Sequence, residues 1–256
     1  MAGFDQIRTV LLDLDGTLYE GTRVVPGAPD AVRTLREHGL TVRFTTNTDS
    51  VSPAALAERL NGFGFEVTED ELITPVAVAV TLFGSIEGAR VMAVAAEGVR
   101  DLLGDALAGP GETPTHVLVA DPSYGAAYDE LDAAFRALRE GAELVATQVG
   151  RVARRDDGEH IDTGGVVRLL EYAARVEARV LGKPSADFLA TPLRALGAEP
   201  ETALVAGDDV DSDLAAARAV GARAVLVRTG KGARTRDPDA DAVVESVADL
   251  PGLLGA

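Results

Sequence analysis

A short apolar run that ends in two aspartates constrains this chain more than any other part of its sequence. Residues 9–18 read TVLLDLDGTL, so the run ends in Asp13 and Asp15, and Asp15 directly precedes a glycine. An apolar run bounded by a turn residue is typical of a strand buried on both faces of a parallel sheet. Because alternate side chains of a strand share a face, the pattern predicts that both carboxylates point the same way. Either a cation or shared proton offsets their repulsion, or one caps the next helix and the other is solvated.

Strand-like and helix-like segments alternate along much of the chain. Residues 31–38 place apolar side chains at helical spacing, and residues 41–47 are rich in the β-branched residues that favour strands. This alternation predicts an α/β fold with a doubly wound, Rossmann-like parallel sheet. The predicted core comprises residues 1–79 and 179–256, and an inserted α/β domain occupies residues 80–178.

The composition limits the classes of partner and compartment. The sequence contains no cysteine, which excludes disulfides, thiolate metal sites and cysteine nucleophiles. A net charge of −17 argues against nucleic acids and anionic membranes, which proteins bind through Lys and Arg. We find neither a membrane-spanning apolar window nor a secretion signal, and therefore expect a cytoplasmic protein. The acidic, lysine-poor composition fits either adaptation to high salt or a GC-rich genome, and both interpretations stay open.

Polar residues follow four predicted strands of the predicted core. They are Asp13 with Asp15, Thr46 with Asn47, Lys183, and Asp208 with Asp209, followed by Asp213. Ligands of an open α/β sheet bind beyond the carboxyl ends of its strands, so we expect these groups to converge there. Carboxylate oxygens suit Mg²⁺, and a carboxylate can also attack phosphorus to form an aspartyl phosphate. The sequence therefore supplies the groups needed to bind a hard cation and a phosphoryl group.

The same residues resemble, in order and spacing, the four motifs of the haloacid dehalogenase-like (HAD) superfamily. The matching motifs are DLDGTL at residues 13–18, Thr46, Lys183, and GDDVDSD at residues 207–213. The insertion between the second and third motifs resembles the α/β cap of subclass IIA, which includes nitrophenylphosphatase-type enzymes. Finer features resemble the branch that contains phospholysine phosphohistidine inorganic pyrophosphate phosphatase and related hydrolase-domain proteins. These features are residues 42–48, 182–184 and 227–231.

This resemblance implies a Mg²⁺-dependent phosphatase that acts through an aspartyl phosphate. Its substrate would be a small phosphorylated metabolite, a phosphoamide or a pyrophosphate. Asp13 would be the nucleophile, and Asp15 would act first as general acid and then as the base that activates water. The carboxylates of Asp13 and Asp208, with the backbone carbonyl of Asp15, would hold Mg²⁺.

The resemblance assigns the remaining positions to phosphate binding or to support of the metal. Gly16, Thr46, Asn47 and Lys183 belong to the first group. Asp209 and Asp213 belong to the second, acting on waters bound to the metal or on Lys183. Capping of the following helix is an alternative for Asp213. Lys183 is notable because the chain has only one other lysine, Lys231, and otherwise uses arginine. Lys231 either contacts the substrate or lies in a solvated loop.

The inserted segment is expected to shield the intermediate and to shape the pocket. Residues 160–165 form a glycine-containing helix start, whose amides could bind an anionic leaving group. Alternatively, Asp162 or Thr163 simply caps that helix. Relatives of this type are often dimers through the cap, so a homodimer is also left open.

Two other classes of function compete with the phosphatase. One is another HAD reaction, namely dehalogenation or phosphonate cleavage. Dehalogenation does not need the second acid Asp15, and phosphonate cleavage usually needs a cap lysine, which residues 80–178 lack. The other class is a non-catalytic binding protein on the same fold, against which the four intact motifs argue.

Overall fold

The computed structural model describes residues 4–155, 158–236 and 239–256. Its strands are β1 (Thr9–Asp13), β2 (Tyr19–Glu20), β3 (Arg23–Val24), β4 (Thr41–Thr45), β5 (Leu72–Ile73), β6 (Val91–Val94), β7 (His116–Val119), β8 (Glu143–Ala146), β9 (Val152–Arg155), β10 (Gly158–Ile161), β11 (Arg179–Val180), β12 (Ala203–Gly207), β13 (Arg223–Val227) and β14 (Ala242–Val244). Its α-helices are α1 (Ala28–Glu37), α2 (Pro53–Gly62), α3 (Pro75–Ser85), α4 (Glu97–Leu103), α5 (Tyr128–Arg139), α6 (Thr163–Ala174), α7 (Ala186–Ala195), α8 (Ala215–Val220) and α9 (Leu250–Leu254).

The chain divides into two compact units. Among the described residues, unit 1 comprises those within Met1–Thr46, Pro53–Ile73 and Lys183–Ala256. Unit 2 comprises Asn47–Ser52 and Thr74–Gly182. The predicted insertion, residues 80–178, differs by a few residues at each end from the segment Thr74–Gly182, and the segment Asn47–Ser52 was predicted in the core but belongs to unit 2. The assignment of a catalytic core and a cap to the two parts stays a prediction.

The main sheet of unit 1 is parallel, in the order β14-β13-β12-β1-β4-β5. β1 lies between β12 and β4 and is paired in parallel with both. From β1 the chain first adds strands on one side of the sheet and later adds strands on the other. This topology confirms the predicted α/β fold with a parallel sheet, and it places the reversal of strand order at β1 and β12. A ligand crevice is expected where the carboxyl ends of those two strands meet.

Apolar residues on both faces hold β1 at the centre of this sheet. All five of its residues are buried. Val10 and Leu12 belong to a core cluster that also contains Leu35 of α1 and Phe44 of β4. Full burial of one such side chain stabilises a fold by about 1.5–3 kcal/mol. The strand end at Asp13 is therefore fixed by a well-packed core.

Unit 2 contains a second parallel sheet, in the order β11-β8-β7-β6, and the antiparallel hairpin β9-β10. Its core includes Val117, Leu144, Val167 and Leu170. Because the predicted core resumes at residue 179, the strand before Lys183 was expected in the main sheet, and that placement is wrong. This strand is β11, which pairs with β8 in the sheet of unit 2.

Candidate active site

Asp13 ends β1 and is buried, with only 6% of the residue exposed. Its Oδ1 accepts a hydrogen bond of 2.5 Å from Nζ of Lys183. Its Oδ2 lies 3.3 Å from the hydroxyl of Thr17, which is the donor. The sequence reasoning did not assign this hydroxyl, although a donor four residues after the carboxylate across a glycine turn is a recognisable signal. Both oxygens of Asp13 are thus oriented by side chains of unit 1.

Asp15 differs from Asp13 in its surroundings. β1 ends at Asp13, so the alternation of a strand does not continue to Asp15, whose residue is exposed. Asp15 instead forms an isolated bridge with Tyr19 in the turn that follows. The strand therefore ends two residues before the position that the alternation assumed, and the shared direction of the two carboxylates stays a prediction. The exposed position leaves the Asp15 carboxyl in contact with solvent.

Lys183 is buried between two carboxylates. Besides Asp13, its Nζ is 2.6 Å from Oδ1 of Asp213. The other oxygen of Asp213 accepts a hydrogen bond of 3.1 Å from the amide of Asp209. Asp213 lies within a π-helical turn, Val210–Leu214, whose N-cap is Asp209. The alternative that Asp213 caps the helix is thus wrong, because Asp209 has that position.

Asp208 directly follows β12, and only 4% of it is exposed. Its Oδ2 accepts a hydrogen bond of 2.6 Å from the amide of Lys231. One carboxylate oxygen from each of Asp13, Asp208 and Asp213 lies within 4.8 Å of the others. These three acids, with one lysine among them, form a buried set of hard oxygen donors that could hold a metal ion. A divalent cation suits this set because the lysine offsets only part of its negative charge.

Two acids of this cluster, Asp13 and Asp208, have pKa values raised toward the neutral form. Burial and repulsion from Asp213 raise the pKa of Asp13 to about 8, although Lys183 opposes the shift. Burial likewise raises the pKa of Asp208 to about 6, against the effect of the Lys231 amide. Burial disfavours the charge of Lys183, but Asp13 and Asp213 together raise its pKa above the usual range. The cluster therefore has more negative charge than its own groups neutralise, which favours a bound cation.

Gly16 serves the site through its missing side chain. Its backbone has φ +90°, and a Cβ at this position would overlap the carboxylate of Asp208. The Gly16 amide donates a hydrogen bond of 2.7 Å to the carbonyl of Tyr19. The amide predicted to meet phosphate is thus engaged within its own turn, and close packing against Asp208 explains the glycine.

The two residues predicted beyond β4 belong to different units. Thr46 follows β4 in unit 1 and is buried, and the preceding Thr45 pairs in register with Asp13. Thr46 thus stands at the strand end next to the nucleophile candidate, as predicted. Asn47 belongs to unit 2. Its predicted part in phosphate binding stays a prediction.

The start of α6 in unit 2 is capped within that unit. The carboxylate of Asp162 accepts a hydrogen bond of 2.8 Å from the amide of Thr163. The amides of Gly164 and Gly165 donate to the carbonyls of Gly150 and Asp162, each at 2.9 Å. Of the two predicted alternatives, the structure favours the helix cap over an anion site.

A buried carboxylate in unit 2 was missed by the sequence reasoning. Oδ2 of Asp49 accepts hydrogen bonds from the hydroxyls of Thr147, at 2.5 Å, and Thr163, at 2.9 Å. Burial raises the pKa of Asp49 to about 6, because the two hydrogen bonds offset only part of the desolvation. Nearby Asp162 and Asp121 act in the same direction as burial. No periodic pattern marks Asp49, since its partners are about 100 residues away.

The chain matches known families of hydrolases. The model of the haloacid dehalogenase-like hydrolases matches residues 10–106, and a HAD-hydrolase-like model matches residues 180–250. Phospholysine phosphohistidine inorganic pyrophosphate phosphatase from Xenopus laevis is 36% identical over 232 residues, 88% of this chain and 84% of that protein. The chain belongs to the haloacid dehalogenase-like hydrolase family. Both matched segments contain the acids that the structure brings together.

Further known proteins resemble the chain over nearly its whole length. The human haloacid dehalogenase-like hydrolase domain-containing protein 2 is 36% identical over 236 residues, covering 90% of this chain and 88% of that protein. A p-nitrophenyl phosphatase from Archaeoglobus fulgidus has the same fold, with a TM-score of 0.90 and 26% identity, covering 97% of this chain and 99% of that one. A 4-nitrophenylphosphatase from Thermotoga maritima, with a TM-score of 0.88 and 22% identity, also shares the fold over 98% of each chain. The predicted superfamily and its phosphatase branch are confirmed.

Proposed function

We propose that the chain is a Mg²⁺-dependent phosphatase that works through an aspartyl phosphate on Asp13. The observation that carries the proposal is the buried cluster in which Lys183 binds both Asp13 and Asp213 beside Asp208. A carboxylate at a sheet's carboxyl edge with a fixed cation beside it has the attributes of a nucleophile for phosphorus. Family membership and relatives named as phosphatases support the same activity.

In the first half-reaction, a carboxylate oxygen of Asp13 attacks phosphorus and forms an acyl phosphate. The bond between phosphorus and the leaving-group oxygen breaks, and Asp15 donates the proton that this oxygen takes up. In the second half-reaction, the ionised Asp15 takes a proton from water as that water attacks phosphorus. Inorganic phosphate leaves and the Asp13 carboxylate is restored. The exposure of Asp15 is consistent with a group that exchanges protons with solvent and with the leaving group.

Lys183 and Thr46 are assigned to the phosphoryl group and its nucleophile. The ammonium of Lys183, held by two carboxylates, keeps Asp13 oriented and lowers the cost of its ionised form. Thr46 stands at the adjacent strand end and would donate its hydroxyl to a phosphoryl oxygen. A compact ammonium suits this place better than the planar guanidinium that the chain uses elsewhere.

The donor set of the cluster fits Mg²⁺. Asp13 and Asp208, with the backbone carbonyl of Asp15, are the groups proposed to hold it. Asp213 is proposed to support the site through Lys183 and not as a metal ligand, because one of its oxygens is bound to Lys183 and the other to the amide of Asp209. When bound, the ion supplies positive charge that stabilises the phosphoryl oxygens during transfer.

The proposed substrates are small phosphomonoesters, with phosphoamides and pyrophosphate as further candidates. The Archaeoglobus protein is named for p-nitrophenyl phosphate, and the Xenopus protein for phospholysine, phosphohistidine and inorganic pyrophosphate. These names motivate a panel of phosphoesters, phosphoamides and pyrophosphate, each assayed for phosphate release with and without Mg²⁺.

The decisive comparison is between the natural chain and Asp13→Asn. We expect Mg²⁺-dependent release of p-nitrophenol by the natural chain and none above background by the variant, which keeps the size of the side chain. Circular dichroism and thermal melting verify that the variant is folded. Turnover retained in a folded Asp13→Asn protein would refute Asp13 as nucleophile. Absence of turnover on every member of the panel would refute the phosphatase.

We further propose that the chain forms a homodimer through an apolar face of unit 2. Ile161, Leu169 and Tyr172 are 72%, 49% and 89% exposed. Residues 165, 169 and 172 lie on one face of α6, and Ile161 lies against Gly165, where a Cβ would overlap it. Exposed contiguous apolar side chains of this kind mark protein interfaces. Light scattering should show a dimer that Tyr172→Lys converts to a monomer; a natural chain that is already monomeric would refute the proposal.

No helix within the described ranges has the length and apolar character needed to cross a membrane. The cytoplasmic location stays a prediction from the sequence.

A further inference from the structure

The turn after β13 carries the second lysine of the chain, for which the proposed reaction has no use. β13 is the neighbour of β12 in the sheet, so residues 229–231 follow the strand next to Asp208. The sequence Thr-Gly-Lys at these positions resembles a branch of the family, but the four catalytic motifs do not include it. Its contacts in the structure point toward Asp208.

The main chain of this turn fixes one oxygen of Asp208. The amide of Lys231 donates a hydrogen bond of 2.6 Å to Oδ2 of Asp208. Asp208 is almost completely buried, so this oxygen has little access to water as a substitute partner. The side chain of Lys231 leads outward, where its Nζ is 2.5 Å from Oδ2 of Asp209. Lys231 thus holds Asp208 with its backbone and Asp209 with its ammonium.

Thr229 and Gly230 attach the same turn to the one that follows β1. The hydroxyl of Thr229 donates a hydrogen bond of 2.5 Å to the carbonyl of Gly16. The amide of Gly230 donates one of 3.1 Å to Oε1 of Glu20. Asp208 follows β12, which lies between β1 and β13 in the sheet. These contacts therefore join the turns on either side of Asp208.

Two glycines enclose the Asp208 carboxylate. Gly230 has φ +50°, and a Cβ there would overlap Oδ2 of Asp208 and come within 2.7 Å of Cα of Gly16. A Cβ on Gly16 would overlap the same carboxylate from the other turn. The carboxylate therefore lies between two backbones that approach it closely and leave it little freedom to rotate.

We propose that the turn Thr229–Lys231 positions Asp208 so that a single carboxylate oxygen faces the cation, which selects Mg²⁺ over Ca²⁺. Mg²⁺ requires compact octahedral coordination, whereas Ca²⁺ takes 6–8 oxygens and accepts bidentate carboxylates. With Oδ2 held by the Lys231 amide, Asp208 would present Oδ1 to the ion, and turning to chelate a larger ion through both oxygens would weaken that hydrogen bond. Thr229 is a positioning residue in this scheme, acting through Gly16 and the turn that carries Lys231. The inference rests on the proposed Mg²⁺-dependent function.

The test measures Mg²⁺ and Ca²⁺ affinities by isothermal titration calorimetry on the full chain. The variants are Thr229→Val, which removes the hydroxyl at nearly constant shape, and Thr229→Ser, which restores it. Thr81→Val is the matched control, because the Thr81 hydroxyl also donates to a backbone carbonyl, that of Ala77, but in a helix of unit 2. Gly230→Ala adds a direct steric test at Asp208. Melting temperatures without metal establish that each variant is folded.

We expect Thr229→Val to weaken Mg²⁺ binding by about 10-fold or more, the typical effect of losing support for a metal ligand. Its Ca²⁺ affinity should fall less, so the ratio of the two dissociation constants narrows. Thr229→Ser should recover the natural ratio, and Thr81→Val should leave it unchanged.

The inference would be overturned if folded Thr229→Val and Gly230→Ala lost equal affinity for both ions, so that the ratio of the dissociation constants stayed unchanged. Mg²⁺-dependent turnover of the natural chain would still uphold the phosphatase in that case. A natural chain that binds no Mg²⁺ would overturn both proposals. The calorimetric ratio and the turnover assay thus separate the two failures.

Discussion

Nζ of Lys183 and Oδ1 of Asp13 are 2.5 Å apart, although 170 residues separate them in the sequence. Lys183 is also bound to Asp213, so its ammonium lies between two buried carboxylates. Removing one partner of a buried charge pair leaves the other charge uncompensated, which costs about 3–5 kcal/mol. This arrangement makes Lys183 a determinant of stability as well as of the proposed reaction.

We expect Lys183→Met to destabilise the fold strongly at pH 8 and less at pH 5.5. At the lower pH, Asp13 and Asp208 become protonated and need less compensation, because their pKa values are raised to about 8 and about 6. Urea unfolding at both pH values measures the difference. Lys183→Arg is the matched variant, since it keeps the charge but cannot place a compact ammonium between two carboxylates. Equal stability of Lys183→Met and the natural chain at pH 8 would contradict the pairing.

Stability without metal should fall as pH rises from 5 to 8. The pKa values of Asp13 and Asp208 are raised in the folded state, to about 8 and about 6, from an ordinary value of 3.8. The folded chain therefore holds more protons than the unfolded chain in this range, and stability is lost as those protons leave.

Mg²⁺ should reverse this trend, because a cation binds the deprotonated carboxylates and displaces their protons. We expect the rise in melting temperature caused by Mg²⁺ to be larger at pH 8 than at pH 5.5. Asp208→Asn should abolish most of that rise at both pH values. A Mg²⁺ effect that is independent of pH, or that survives in Asp208→Asn, would argue against the proposed ligands.

The sequence predicted the parts of the site that depend on local pattern and strand order. The buried run before Asp13 predicted β1, and parallel topology then placed Asp208 at the neighbouring strand end. The end of the strand was predicted less well, because β1 ends at Asp13, two residues earlier than the alternation assumed. A strand boundary depends on which partner strand continues to pair, and that information lies far away in the chain.

Other features could not be inferred because they arise from distant contacts. The strand before Lys183 was predicted in the wrong sheet, since two residues of extended chain carry no signal for the sheet they join. Asp49 was missed because its two hydroxyl partners become its neighbours only after folding. Support of Lys183 by Asp209 or Asp213 was expected from the resemblance, but the π-helical turn that contains Asp213 was not, because no periodicity marks it.

We expect Asp15→Asn to separate the two halves of the proposed reaction. p-Nitrophenolate is a good leaving group and needs little proton donation, so the acyl phosphate should still form. Its hydrolysis lacks the base and should slow by about 10² to 10⁴. Rapid-quench kinetics should therefore show a burst of about one p-nitrophenol per site, followed by slow turnover. Steady turnover with no burst and an undiminished rate would show that Asp15 is not the base.

Asp49 gives a prediction for unit 2 that does not depend on the proposed reaction. Its carboxylate is buried, and its pKa is raised to about 6 from 3.8. Its charged form is thus unfavourable in the folded state. The contribution of protonated Asp49 to the free energy of unfolding is fully present below pH 4 and is lost as the pH rises through 6. The shift corresponds to about 3 kcal/mol at neutral pH.

Asp49→Asn should therefore raise the stability of the chain at pH 8. The amide oxygen can still accept the hydroxyls of Thr147 and Thr163, and no charge has to be buried. Denaturant unfolding should show that the difference in free energy of unfolding between Asp49→Asn and the natural chain is largest at pH 8 and becomes small toward pH 4. Thr163→Val is the companion variant, since loss of a donor to the carboxylate should destabilise the natural chain at pH 8 more than it does Asp49→Asn. If this difference in free energy of unfolding were the same at all pH values, packing and not the buried charge would set the stability at this position.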